Sequence, residues 1–133
     1  MKRHVLDADS LRAFLEDRPG AATIEELLWK AVQSQQRVYV SVLSWNYLFS
    51  TVWRFKGESV AREKMKQLEQ LPIEVVDVTE AEAAGAAKLS ATYGLDYLDC
   101  IAAATAQQRR ATLVTTNKAL SKLGDTVKIF FAD

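Results

Sequence analysis

The chain has 133 residues, 49% apolar and 26% charged, a balance that fits one folded domain with a real core and excludes a disordered or fibrous polypeptide. Lys plus Arg and Asp plus Glu each number 17, so no global positive charge marks a nucleic-acid binder held by charge alone. The single cysteine, Cys100, rules out an internal disulfide and a thiolate zinc site, and the only histidine, His4, has no second imidazole for a metal or a hydrolase triad.

Residues 3–7 (RHVLD) read as a short buried strand ending on an acid. Asp7-Ala8-Asp9-Ser10 then opens a helix with Leu11, Phe14 and Leu15 at helical spacing, with Asp9 as the expected cap. Pro19-Gly20 breaks it, and a second helix over 21–33 carries the stripe Ile24, Leu27, Leu28 and Val32, leaving Trp29 on the polar side. Residues 37–41 (RVYVS) form a second strand. The helix over 42–55 is unusually aromatic, and its Trp45, Phe49 and Trp53 share one face, for which core packing is the default and a partner surface the alternative. After Gly57 a charged amphipathic helix spans 58–71, and 73–76 is a third strand. Arg54, Lys56, Arg62, Lys64 and Lys66 make a basic segment there, read as a solvated face or as a rim that steers phosphates.

Thr79-Glu-Ala-Glu82 has the capping-box spacing and starts an Ala-rich helix that Gly94 closes after Tyr93. The helix over 96–109 follows, then a strand over 111–115, a short helix over 117–123 and a last strand over 127–131. Strands alternating with helices predict a single domain over 1–133, an α/β three-layer α/β/α sandwich on a central, mostly parallel five-stranded sheet. No apolar run reaches the length of a membrane span, about eighteen residues. The strand pattern begins at once and leaves no room for a signal peptide, so the cytoplasm is the expected location.

Asp96 and Asp99 lie one helical turn apart at the start of the helix over 96–109, ahead of a run of alanines that lets it lie close to a sheet. A cap and a favourable first-turn acid explain both. Converging carboxylates at the carboxyl edge of a parallel sheet, without His or Cys, describe instead a site for a hard cation such as Mg²⁺ or Mn²⁺. Asp7 ends the first strand and Thr115-Thr116-Asn117 follow the fourth, which places both at that edge.

The order of these features resembles the PIN-domain family and, within it, the VapC-type toxin ribonucleases of toxin–antitoxin pairs. The resemblance runs from Val5-Leu6-Asp7-Ala8 through Pro19-Gly20-Ala21, Glu25-Glu26-Leu27-Leu28, Ser41-Val42, Trp53-Arg54 and Leu71 to Val76, and on to Tyr93-Gly94-Leu95, Tyr97, Asp99, the alanine run and residues 111–115. It implies a Mg²⁺- or Mn²⁺-dependent endoribonuclease acting on RNA, paired with an antitoxin protein and forming a homodimer. It assigns Asp7 and Asp99 as metal ligands and catalytic acids; in an active enzyme Asp96 and Asn117 would assist them. Thr115, Thr116 and Lys118 would contact substrate phosphate, and Thr115 or Thr116 a carboxylate as an alternative.

Two positions depart from the family pattern. Asn117 stands where a fourth acid often sits and offers a neutral oxygen. Tyr47 stands where the Glu of the helix after the second strand is expected. A phenol with an ordinary pKa near 10 is neutral at pH 7 and a poor ligand for Mg²⁺. The resemblance therefore also admits a degenerate PIN domain that binds its partner or RNA without cleaving, with Asp96 as a stand-in acid in the active alternative.

Overall fold

The computed structural model describes residues 2–33 and 35–133. In chain order the elements are β1 (Lys2–Leu6), α1 (Ala8–Leu15), α2 (Ala21–Val32), β2 (Gln36–Ser41), α3 (Val42–Lys56), α4 (Glu58–Glu69), β3 (Glu74–Val76), α5 (Glu80–Tyr93), α6 (Tyr97–Gln108), β4 (Thr112–Thr115) and β5 (Ile129–Phe131). Between β4 and β5, 3₁₀ turns run over Lys118–Thr126 and are interrupted at Gly124, where the expected short helix stood.

The five strands form one sheet in the order β3-β2-β1-β4-β5, and every pairing is parallel. The alternation of strand and helix produces this, because each parallel pair needs a crossover segment long enough to return the chain to the same edge. Side chains alternate across β1. Val5 joins a core with α5 and α6, whereas Leu6 joins a second core with α1 to α4. The helices thus lie in two layers, and the α/β/α sandwich is as expected.

Two caps follow their sequence signals. Thr79 and Glu82 form the capping box of α5, and Gly94 ends that helix in the left-handed region at φ 68°. The run Cys100 to Ala106 is buried throughout, so α6 meets protein on every side rather than through one stripe. Only small side chains allow this, which is why four of those seven residues are alanine. Cys100 is free and fully buried, in keeping with a packing role.

The aromatic stripe of α3 departs from the core expectation. Trp45 and Phe49 pack partly against the second core, but Trp53 is exposed. Arg62 of α4 stacks over both Phe49 and Trp53, at 5.6 and 5.5 Å from the ring centroids. A guanidinium can lie over an aromatic face and keep its charge in water, so the stripe needs no deeper burial. Trp29 is exposed, as its place on the polar side of α2 suggested.

Replacing Ala103 by Leu would push extra carbon into the fully packed α6 layer. The expected result is a loss of about 1–3 kcal/mol in denaturant unfolding, with an unchanged slope against denaturant.

Candidate metal centre at the carboxyl edge of the sheet

In the order β3-β2-β1-β4-β5 the sheet changes winding direction between β1 and β4, and open α/β sheets form their ligand crevice outside the carboxyl ends of the strands at such a point. Asp7 leaves β1 there and Thr115 ends β4. Strand β1 stops at Leu6, one residue earlier than the sequence pattern suggested, and this makes Asp7 the N-cap of α1. Its Oδ1 accepts from the Ser10 backbone N–H at 2.8 Å, and its Oδ2 accepts from the Thr115 hydroxyl at 2.5 Å. The Thr115 oxygen in turn accepts from the Asn117 backbone N–H at 3.0 Å. The carboxylate is 2% exposed and oriented from both sides.

With Asp7 as the cap, Asp9 is released from the role expected of it. It becomes a first-turn acid of α1 that faces the crevice. Asp7, Asp9 and Asp99 each offer a carboxylate oxygen, and these oxygens lie within 4.8 Å of one another. Asp99 is half-buried in the first turn of α6. Asp96 is spent on local structure instead: it caps α6, with Oδ1 accepting from the Leu98 N–H at 2.9 Å, and remains exposed. Asp9, not Asp96, therefore supplies the third carboxylate of the cluster.

Asn117 does not present its oxygen to the site. Oδ1 accepts from the Ala119 N–H at 3.1 Å and caps the following turn, which turns the Nδ2 amide toward Asp99 Oδ2 at 3.1 Å. The backbone N–H can only donate, so it fixes which way the carboxamide points. Thr115 is committed to Asp7, and the Thr116 methyl lies 3.1 Å from where a Cβ on Gly20 would stand. Lys118 reaches the Asp133 carboxylate at 2.8 Å and lies over the Phe131 ring. Tyr47 lies on α3 and is exposed, and α3 contains no acidic residue along its length. What α3 brings to the edge beside Asp7 is neutral: Ser41, its cap, and Ser44, joined by a buried hydroxyl contact at 3.1 Å.

Negative charge accumulates here, and none of the ion pairs among the described residues engages Asp7, Asp9 or Asp99. Burial raises Asp7 from 3.8 to about 6 against the hydrogen bonds from Thr115 and Ser10. Asp99 rises from 3.8 to about 7, through burial first and then the charges of Asp9, Asp7 and Asp96. Carboxylates crowded until they resist ionisation form a donor set suited to a hard divalent cation.

The PIN-domain family model matches residues 4–125. The chain belongs to the PIN-domain family. Among solved structures, the DNA-bound VapBC of Salmonella typhimurium aligns over 100% of both chains, with a TM-score of 0.78 and 14% identity. VapBC2 of Rickettsia felis, bound to a promoter DNA fragment, aligns over 96% of this chain and 97% of its own, with a TM-score of 0.75 and 19% identity. VapC20 of Mycobacterium tuberculosis, a toxin that cleaves the sarcin–ricin loop, aligns over 91% and 95%, with a TM-score of 0.71 and 13% identity. At such identities the likeness is one of PIN fold. No curated protein matches the chain in sequence.

A pH dependence follows. Between about pH 4 and 7 the folded, metal-free protein holds protons on Asp7 and Asp99 that the unfolded chain has released, so stability falls as pH rises through that window. The melting temperature in EDTA is expected to be higher at pH 5 than at pH 7.5 from this contribution. Asp99→Asn should flatten the difference, and Mn²⁺ should raise the wild-type value at pH 7.5 only.

Proposed function

We propose that this PIN domain is a Mg²⁺- or Mn²⁺-dependent endoribonuclease, the toxin of a toxin–antitoxin pair, acting in the cytoplasm as a homodimer. The observation that carries this reading is the group of three carboxylates, from α1 and α6, at the winding switch of the sheet. Asp7, Asp9 and Asp99 would hold the ion. Such an ion, when bound, lowers the pKa of water and offsets negative charge developing on a phosphodiester in its transition state. The chain's own residues do the positioning. Thr115 and Ser10 fix the two oxygens of Asp7, and the Asn117 amide orients Asp99 while leaving its second oxygen unengaged by that contact.

The toxin assignment rests on the kind of proteins that share the fold. They include VapBC complexes and FitAcB from Neisseria gonorrhoeae, the latter 23% identical with a TM-score of 0.69. An antitoxin partner and an RNA substrate come to this chain by that likeness. Among the described residues no helix is long and apolar enough to cross a membrane, which suits the cytoplasmic assignment.

One observation favours a second reading, a PIN domain that binds its partner or RNA without cleaving. Helix α3 is acid-free and carries Tyr47 where the family's Glu is expected. Losing a unit charge at about 4 Å removes up to ~4 kcal/mol of attraction at an effective dielectric of 20. Asp9 returns one such charge from the first turn of α1, and cleavage is the reading we adopt.

Cleavage of a structured RNA in Mn²⁺ is expected for the wild type and is expected to vanish in Asp99→Asn. Tyr47→Glu should match or exceed the wild-type rate. Equal inertness of all three proteins, with and without metal, would establish the non-cleaving reading.

A further inference from the structure

On the opposite edge of the sheet, the face toward α2 carries polar side chains where a core is expected. The register places Lys2 beside Gln36, and His4 beside Val38 and Thr112. The pairing of Leu113 with Ile129 brings Lys128 next to Thr112 on the same face. Helix α2 does not close over this corner. It leaves a cleft of about 630 Å³, a volume in the range of small-ligand sites, with Leu27, Val114 and Phe130 among the residues of its apolar wall. Lys2, Arg3, Lys30, Arg110 and Lys128 line the cleft against a single acid, Glu26. In a chain with equal numbers of both charge signs, that concentration is not a sampling of the average surface.

Two further observations point to a missing partner. His4 Nδ1 and the side-chain oxygen of Gln36 are both shielded from solvent and have no hydrogen-bond partner among the described residues. Both residues line the cleft, although these two atoms themselves are closed off from its water-accessible space. Arg110, at the end of α6, holds φ at 52°, a left-handed conformation that glycine adopts without steric cost, yet its side chain is one of those lining the cleft. Burial and the charges of Lys2, Lys128 and Lys30 all lower the His4 pKa, which places those lysines around one point.

We propose that this cleft binds the di- or triphosphate group of a small ligand, at a site separate from the carboxylate cluster and independent of its nuclease reading. Several lysines and an arginine converging from three strand ends and a helix suit a compact chain of phosphates. His4 and Gln36 line the same cleft between these cations, and the apolar wall is available to an attached organic group.

The test is isothermal titration of metal-free full-length protein in EDTA with inorganic tripolyphosphate, with ATP and with a short single-stranded RNA. Amide and His4 ring shifts are followed by NMR. Tripolyphosphate and ATP should bind wild type and Asp99→Asn alike, and the His4 ring signals should move. Tighter binding of ATP identifies an organic phosphate, and equal binding identifies an inorganic polyphosphate; both outcomes support the site. Lys30→Gln combined with Lys128→Gln changes side chains at the solvent rim and should leave melting unchanged while weakening both ligands by about tenfold or more, the loss expected when charge-assisted contacts are removed. Affinity unchanged in the double variant, or RNA as the sole ligand whose binding it weakens, would overturn the proposal.

Discussion

The arrangement of the molecule's functional edge depends on one buried carboxylate. Asp7 must leave β1, start α1 and lie beside the end of β4, and its two oxygens are taken by donors from the last two of these. A buried acid is costly unless its oxygens are satisfied, so Thr115 and the first turn of α1 are as necessary to Asp7 as Asp7 is to the site. Burial still outweighs those bonds and leaves its pKa high. Each additional acid then finds a site already reluctant to carry negative charge. The group crowds negative charge into one crevice, and both Asp7 and Asp99 are held above the ordinary carboxylate range.

That tension explains the division of labour among the neighbours. A neutral amide at Asn117 can donate to Asp99 and cap the next turn at once, whereas an acid there would add to the crowding. The crevice is charged on the α1 and α6 sides and hydroxyl-lined on the α3 side. Helix α3 carries no acid, and the third carboxylate of the group comes from the first turn of α1, two residues after Asp7, where the helix N-terminus favours negative charge.

Much of this was legible in the chain. Alternating apolar strands, the Thr79–Glu82 capping box and the closing Gly94 locate the elements to within a few residues, and their order brings Asp7 and Asp99 to one edge. The place of Asp9 was not legible, because it turns on whether β1 ends at residue 6 or 7, and a one-residue change exchanges a cap for a member of the carboxylate group. Asp96 was ambiguous for the same reason, since cap and first-turn acid look alike in sequence. The exposure of Trp53 was hidden because its partner, Arg62, comes from another helix. The polar row of Lys2, His4, Gln36 and Thr112 appears only when three strands are set in register.

The bond between Thr115 and Asp7 joins residues 108 positions apart, and the central strand β1 takes β4 as one of its two neighbours. Strand β1 thus waits for a strand more than a hundred residues later before the middle of the sheet is complete. Pairings of such separation are slow to form because the loop must close before contacts stabilise it. A chain still emerging from the ribosome, with β4 not yet released, has Asp7 without Thr115 and half of its sheet centre open. The carboxylate crevice consequently forms only when β4 is present to pair with β1. Truncation just before residue 112 would remove the site's support while leaving all three of its acids in the chain.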